Sequence, residues 1–157
     1  MPYTYTEQLQ RIANQYLREH GGEATTKRDI AVWAVSSGLW QPQRSDLISQ
    51  CAEQLARAMR EEYITDPQGR SVRAKHVARI EQGGEQLYLW ADIRTAPAQH
   101  MQIAFMQRRQ QIVGECRQLK SDVDSYNENR KPEKPIQMTM NFTVDLLELE
   151  AAAQVAY

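Results

Sequence analysis

The 157 residues include only 2 cysteines, 3 histidines and 2 phenylalanines. Each scarcity closes off a class of chemistry. Cys51 and Cys116 have no C-x-x-C partner, and His20, His76 and His100 are widely separated. Zinc-ligand spacing is therefore missing, and no metal or cofactor is expected. A cysteine nucleophile needs a base, and a cation or helix N-terminus to lower its pKa. Cys51 and Cys116 instead lie on apolar positions of helical patterns, so both read as reduced core residues of a cytoplasmic protein. There is no G-x-S-x-G and no glycine-rich phosphate loop, because Gly83-Gly84 falls between two period-2 segments and reads as a hairpin turn. Glu61-Glu62 and the Asp122/Asp124 pair read as solvated helix faces. No enzyme is expected.

Long hydrophobic runs are missing too. Nothing approaches the roughly 20 apolar residues that span a bilayer, and the start, MPYTYTEQLQ, lacks the basic and apolar regions of a signal peptide. Nor does charge of one sign prevail: 19 Lys+Arg face 20 Asp+Glu, net −1. Such a chain is not a sequence-blind nucleic-acid binder as a whole, and only local patches can serve that purpose. Positive charge does gather in GRSVRAKHVARI, residues 69–80, while residues 132–157 hold one lysine against four acids.

What is present is an ordered series of elements. Thr4 with Glu7 forms a capping box, followed by Leu9, Ile12, Ala13, Tyr16 and Leu17 at helical spacing and a stop at Gly21-Gly22. Thr26 with Asp29 opens a second helix carrying Ile30, Trp33, Ala34 and Val35, stopped at Gly38. Leu39 and Trp40 read as core plugs. A third helix runs from Pro42 or Ser45 to Glu62, with Leu47, Ile48, Cys51, Leu55 and Met59 along one side. Then the period changes to 2. Tyr63-Ile64-Thr65, the turn DPQG, a strand from Arg70 to Ile80, the turn EQGGE and a strand from Gln86 to Ile93 form an antiparallel meander. The fold expected is mainly α with a small antiparallel β-hairpin: a winged helix-turn-helix, then a long helix and an acidic tail. The domains expected are 1–95 for the winged helix, 96–130 for the long helix and 131–157 for linker, short strand and acidic helix.

In the Arg70–Ile80 strand, Arg73, Lys75 and Arg79 share one face, and Val72, Ala74, His76, Ala78 and Ile80 the other. The first face suits phosphates or, equally simply, solvent at a guarded edge. Arg70, Arg73, Lys75 and Arg79 are thus the candidate phosphate contacts. Gln50 and Arg57 on the third helix, with Arg44 before it, are the candidates at the groove of double-stranded DNA. Glu53 among them weakens base readout. A fourth helix is expected from about Thr95 to Asn127, with Pro97 in its first turn. Its Phe105, Ile112, Leu119 and Tyr126, interleaved with Arg109, Cys116 and Val123, approximate a heptad seam flawed by Arg109. Either the helix packs along its own domain or it makes a homodimer. IQMTMNF then alternates as a short strand would, and TVDLLELEAAA forms an acidic, leucine-rich helix able to dock on the domain or on a protein partner.

From Thr6 to about Asp92 the chain resembles the HARE-HTH group of winged helices. The resemblance is carried by a first helix ending in HGG, a second entered by TTKRDI and closed by SGLW, a leucine-spaced third helix and a hairpin ending QLYLW. That group includes the N-terminal domain of the RNA polymerase delta subunit and domains of Asx-like chromatin proteins. The resemblance implies a DNA- or transcription-associated adaptor without catalytic residues. The longer meander and the long fourth helix depart from the pattern. The first reading is a non-catalytic DNA-binding regulator or accessory factor of transcription or of a mobile element, contacting duplex phosphates through a basic wing; the alternative is a protein-interaction adaptor with the winged helix as scaffold and the long helix or the acidic, leucine-rich tail binding a partner.

Overall fold

The computed structural model describes residues 2–42 and 47–155, with Arg44 outside them. It is mainly helical, with small antiparallel strand pairs. The chain forms two compact units, residues 1–55 and 56–157, divided within the third helix.

In the first unit, α1 (Tyr5–Glu19) begins as its sequence predicts. Thr4 Oγ1 accepts from the Glu7 backbone N–H at 3.2 Å, and a Glu7 carboxylate oxygen accepts from the Thr4 N–H at 2.7 Å. These bonds satisfy two donors that a bare helix end leaves unpaired. Gly21 and Gly22 follow at φ +75°, the left-handed region that ends helices. α2 (Lys27–Ser36) is capped by the Thr26 hydroxyl, which accepts from the Asp29 N–H at 3.0 Å. The two helices meet through aromatic rings: Tyr16 stacks on His20 at 3.9 Å, and Trp33 stands edge-on to Tyr16 at 5.4 Å. The buried Ala34 turns its carbonyl to the N–H groups of Leu39 and Trp40, and the Trp40 indole N–H reaches the Tyr5 hydroxyl at 2.9 Å. Trp40 is half-buried by this, whereas Leu39 stays exposed and is no core plug.

α3 spans Leu47–Glu61. Its apolar stripe does not form a core as the pattern suggests: Leu47 is 81% and Ile48 76% exposed, Cys51 and Leu55 are exposed, and Met59 is half-buried. The reading of Cys51 as a buried core residue is thereby corrected.

The second unit carries the strands. β1 (Tyr63–Thr65) pairs antiparallel with β2 (Ser71–Arg73) across the DPQG turn, where Asp66 Oδ1 accepts from the N–H groups of Gln68 and Arg70. The expected single strand from Arg70 to Ile80 is broken at Ala74. There the chain changes partners: the Ala74 N–H donates to Glu62, and its carbonyl accepts from Ile93. β3 (Lys75–Gln82) then pairs with β4 (Glu85–Asp92) around Gly83 and Gly84, at φ +60° and +80°. Two successive left-handed residues match the twist of a two-residue hairpin. The expected alternation survives the break. Ala74, His76 and Ala78 are buried, while Arg73, Lys75, Val77 and Arg79 stay on the more open face.

α4 (Ala98–Arg130) covers the buried side of β3, beginning at the cap Pro97 rather than containing it, and running three residues past the expected end. Small side chains permit close approach, since Ala78 on β3 and Ala104 on α4 are both buried. Polar bonds fix the seat. The His100 ring N–H donates to the His76 carbonyl at 3.0 Å, and Phe105 meets the His76 ring edge-on at 5.2 Å. The Gln107 side chain bonds both the N–H (2.8 Å) and the carbonyl (2.7 Å) of Arg79. At 1.5 Å per residue α4 is roughly 50 Å long, far longer than the strands beneath it.

Beyond Lys131, which closes α4 in the left-handed region at φ 47°, the chain turns back along the helix. Asn127 holds both the N–H and the carbonyl of Ile136, at 3.0 and 2.9 Å. Residues 136–142 are irregular, which corrects the expected short strand: the bonding groups of Ile136 go to a helix side chain and not to a neighbouring strand. α5 (Thr143–Val155) ends the described chain.

Candidate functional site: a cationic face and uncovered helices

Two carboxylates decide which cations of the strand face are free. The Lys75 ammonium lies 2.9 Å from Asp92 and 3.1 Å from Glu62. Asp92 also receives the Arg94 guanidinium at 2.7 Å. Arg94 first, and Lys75 second, hold the Asp92 carboxyl well below the usual carboxylate range. The same contacts, Asp92 first and then Glu62, raise Lys75. Arg70 closes on Asp66 at 2.8 Å, within its own turn. Arg70 and Lys75, both candidate phosphate contacts by sequence, are thus engaged by carboxylates of the chain.

Arg73 and Arg79 stand differently. Among the described residues neither has a carboxylate partner. Arg73 donates through Nε to the hydroxyl of Tyr63, its cross-strand neighbour, at 3.3 Å. Arg79 is held by its backbone to Gln107 and leaves its side chain exposed. Arg108 on α4 is a further exposed cation without a carboxylate partner among the described residues. Arg108 is pushed below the usual arginine range by desolvation first and by the charge of Arg73 second. Sequence reading missed Arg108 because it sits beside the heptad seam, with no local pattern to mark it. It also missed Glu62 and Asp92 as partners for Lys75, since they come from a helix end and a different strand.

Of the groove candidates, Gln50 and Arg57 are exposed on α3, Gln50 in the first unit and Arg57 in the second; Arg44 lies outside the described residues.

The second feature is apolar. Phe105, Ile112, Leu119 and Tyr126 are all exposed on α4, with Met106 and Val113 beside them. Cys116 and Val123 are half-buried. Val123 borders a groove formed with Ile136, Met138 and Met140 of the returning segment, so one end of the seam is partly covered by the chain itself. On α5, Val144, Leu146, Leu147 and Leu149 are each more than half exposed.

Among the described residues no group of three or more His, Cys, Asp or Glu is placed to hold a metal ion, and no helix is long and apolar enough to cross a membrane. Comparison with family models, with curated proteins and with solved structures gives no match to this chain.

Proposed function

We propose that this chain is a non-catalytic interaction module that pairs with a second copy through α4 and offers α5 to a protein partner. The observation that carries the reading is the half-exposed seam Phe105, Ile112, Leu119 and Tyr126. Apolar side chains at heptad spacing lower their free energy by packing against a like surface. Charge favours an antiparallel pair. Before Glu115 the helix carries Arg108 and Arg109 and no acid; after Lys120 it carries Asp122, Asp124 and Glu128 against Arg130 alone. A parallel pair sets Arg109 against its own copy, whereas an antiparallel pair sets it against Asp122. Light scattering at rising concentration tests this. The expected mass approaches twice 18.2 kDa, and a mass that stays at one chain rejects the pairing.

A second reading, binding of duplex DNA through the strand face, is supported by Arg73 and Arg79 lacking carboxylate partners among the described residues. It agrees with the HARE-HTH-like order of elements. A gel-shift titration across salt tests it, and no salt-sensitive binding to any duplex rejects it.

A further inference from the structure

We propose that α5 packs on the N-terminal half of α4 of a second copy, so that two chains exchange their acidic tails. This rests on the antiparallel α4 pair described above and names the partner that α5 takes.

α5 is apolar on two sides. At about 100° per residue, Val144, Leu147 and Ala151 form one stripe, and Leu146, Leu149 and Ala153 form a second on the opposite face. Asp145 and Glu148 lie on one border between the stripes and Glu150 on the other. A helix that is apolar on opposite faces is stable when buried between neighbours. The single chain provides no such cover, since residues 141–150 are all exposed. Nor does it cover the matching surface of α4, where Phe105 and Ile112 are exposed with Met106 and Val113 beside them. Two apolar surfaces left open by one chain lower their free energy by meeting across two chains, and exchange of an identical element is a low-cost way to do so.

Charge selects which half of α4 receives the tail. From Ala98 to Gly114 the helix carries Arg108 and Arg109 and no acid, while α5 carries Asp145, Glu148 and Glu150 and no lysine or arginine. Among the described residues none of these five groups is ion-paired within the chain. The other half of α4, with Asp122, Asp124 and Glu128, repels an acidic helix.

Connectivity selects the second copy over the chain's own helix. Met140 shares a groove with Lys120, Val123 and Asp124 of its own α4. The antiparallel pair that sets Asp122 against Arg109 of the second copy also sets this groove beside that arginine. α5 starts three residues after Met140, so Asp145 and Glu148 begin level with Arg108 and Arg109 of the second copy. The chain's own Arg109 lies eleven residues from Lys120, about 16 Å further along the helix.

The test uses full-length chains in sedimentation equilibrium. One variant carries Asp145→Lys with Glu148→Lys, and the other carries Arg108→Glu. Each alone sets like charges together and is expected to raise the dissociation constant about ten-fold, because every contact occurs twice in the pair. An equimolar mixture of the two is expected to restore the wild-type constant, since each tail then meets a helix of opposite sign on the other chain. Weak pairing that mixing does not restore places α5 on its own α4 and overturns the exchange. An α5 variant that pairs as tightly as the wild type overturns the docking while sparing the α4 pair. Glu23→Lys with Glu133→Lys makes the same change of net charge at other exposed positions and is expected to pair like the wild type; equal weakening there assigns the effect to net charge and overturns the proposal. A wild type that stays at 18.2 kDa rejects the α4 pair and the exchange with it. Circular dichroism of each variant shows whether the fold is retained.

Discussion

Replacing Ile112 and Leu119 together by glutamate tests the α4 surface most directly. Ile112 is 51% and Leu119 43% exposed in the single chain. Full burial of such a side chain stabilises by roughly 1.5–3 kcal/mol, so covering the exposed half contributes about 1 kcal/mol. Phe105 and Tyr126, each 46% exposed, and the flanking Met106 and Val113 add similar amounts. Six side chains from each of two copies then contribute about 12 kcal/mol. Association itself costs at least about 4 kcal/mol, which leaves a dissociation constant of micromolar order at the tightest. The double substitution removes about 4 kcal/mol of this and brings acidic charge onto the seam, weakening pairing by about a thousand-fold or more. Sedimentation equilibrium from about 1 to about 200 µM reads the shift. Because both side chains are already about half exposed, the variant is expected to keep its helix content and, at low concentration, nearly its thermal midpoint. A wild type that remains at 18.2 kDa throughout, or a variant that pairs as tightly, refutes the reasoning.

Three further outcomes concern the seat of α4 on the strands. Gln107→Ala removes two bonds to the Arg79 backbone and is expected to cost about 1–3 kcal/mol, read as a lower thermal midpoint and faster exchange of the Arg79 amide. Ala104→Leu adds volume where Ala104 and Ala78 are buried and is expected to cost about 1–3 kcal/mol by overpacking; an unchanged denaturation midpoint contradicts that close approach. The third is a pH dependence. Asp92 is held below its usual range by Arg94 and Lys75, so its contribution is present above the unfolded value of about 3.9 and is lost as pH falls through the lower folded value. Stability is expected to fall below about pH 4, with a shallower acid limb for Asp92→Asn, and equal acid limbs for the two proteins remove Asp92 from the explanation.

Local chemistry was readable along the chain wherever a few neighbouring residues settle it. Thr4 with Glu7, the glycines at 21–22 and 38, the DPQG turn and the Gly83-Gly84 hairpin all act within one or two turns of backbone, and all appear as expected. So does the alternation that buries Ala74, His76 and Ala78 and leaves Arg73, Lys75 and Arg79 on the more open face. The break at Ala74 was not readable, because it depends on Glu62 and Ile93 arriving from either side. Segment 136–142 looked like a strand by period alone, but the Asn127 side chain took the backbone groups of Ile136.

The candidate site divides in the same way. Residue types and their period sufficed to put cations on one strand face, to set an apolar seam on the long helix and to make the last helix acidic and leucine-rich. They did not say which cations are free. Charge pairing is a matter of a few ångströms between residues distant in sequence: Lys75 is claimed by Glu62 and Asp92, while the Arg73 side chain meets the Tyr63 hydroxyl and no carboxylate among the described residues. Nor did spacing say whether an apolar stripe is covered. Period defines a helix face, but burial needs a second surface, and the folded chain provides one for Ala104 and half of Val123 and leaves Ile112 and Leu119 exposed.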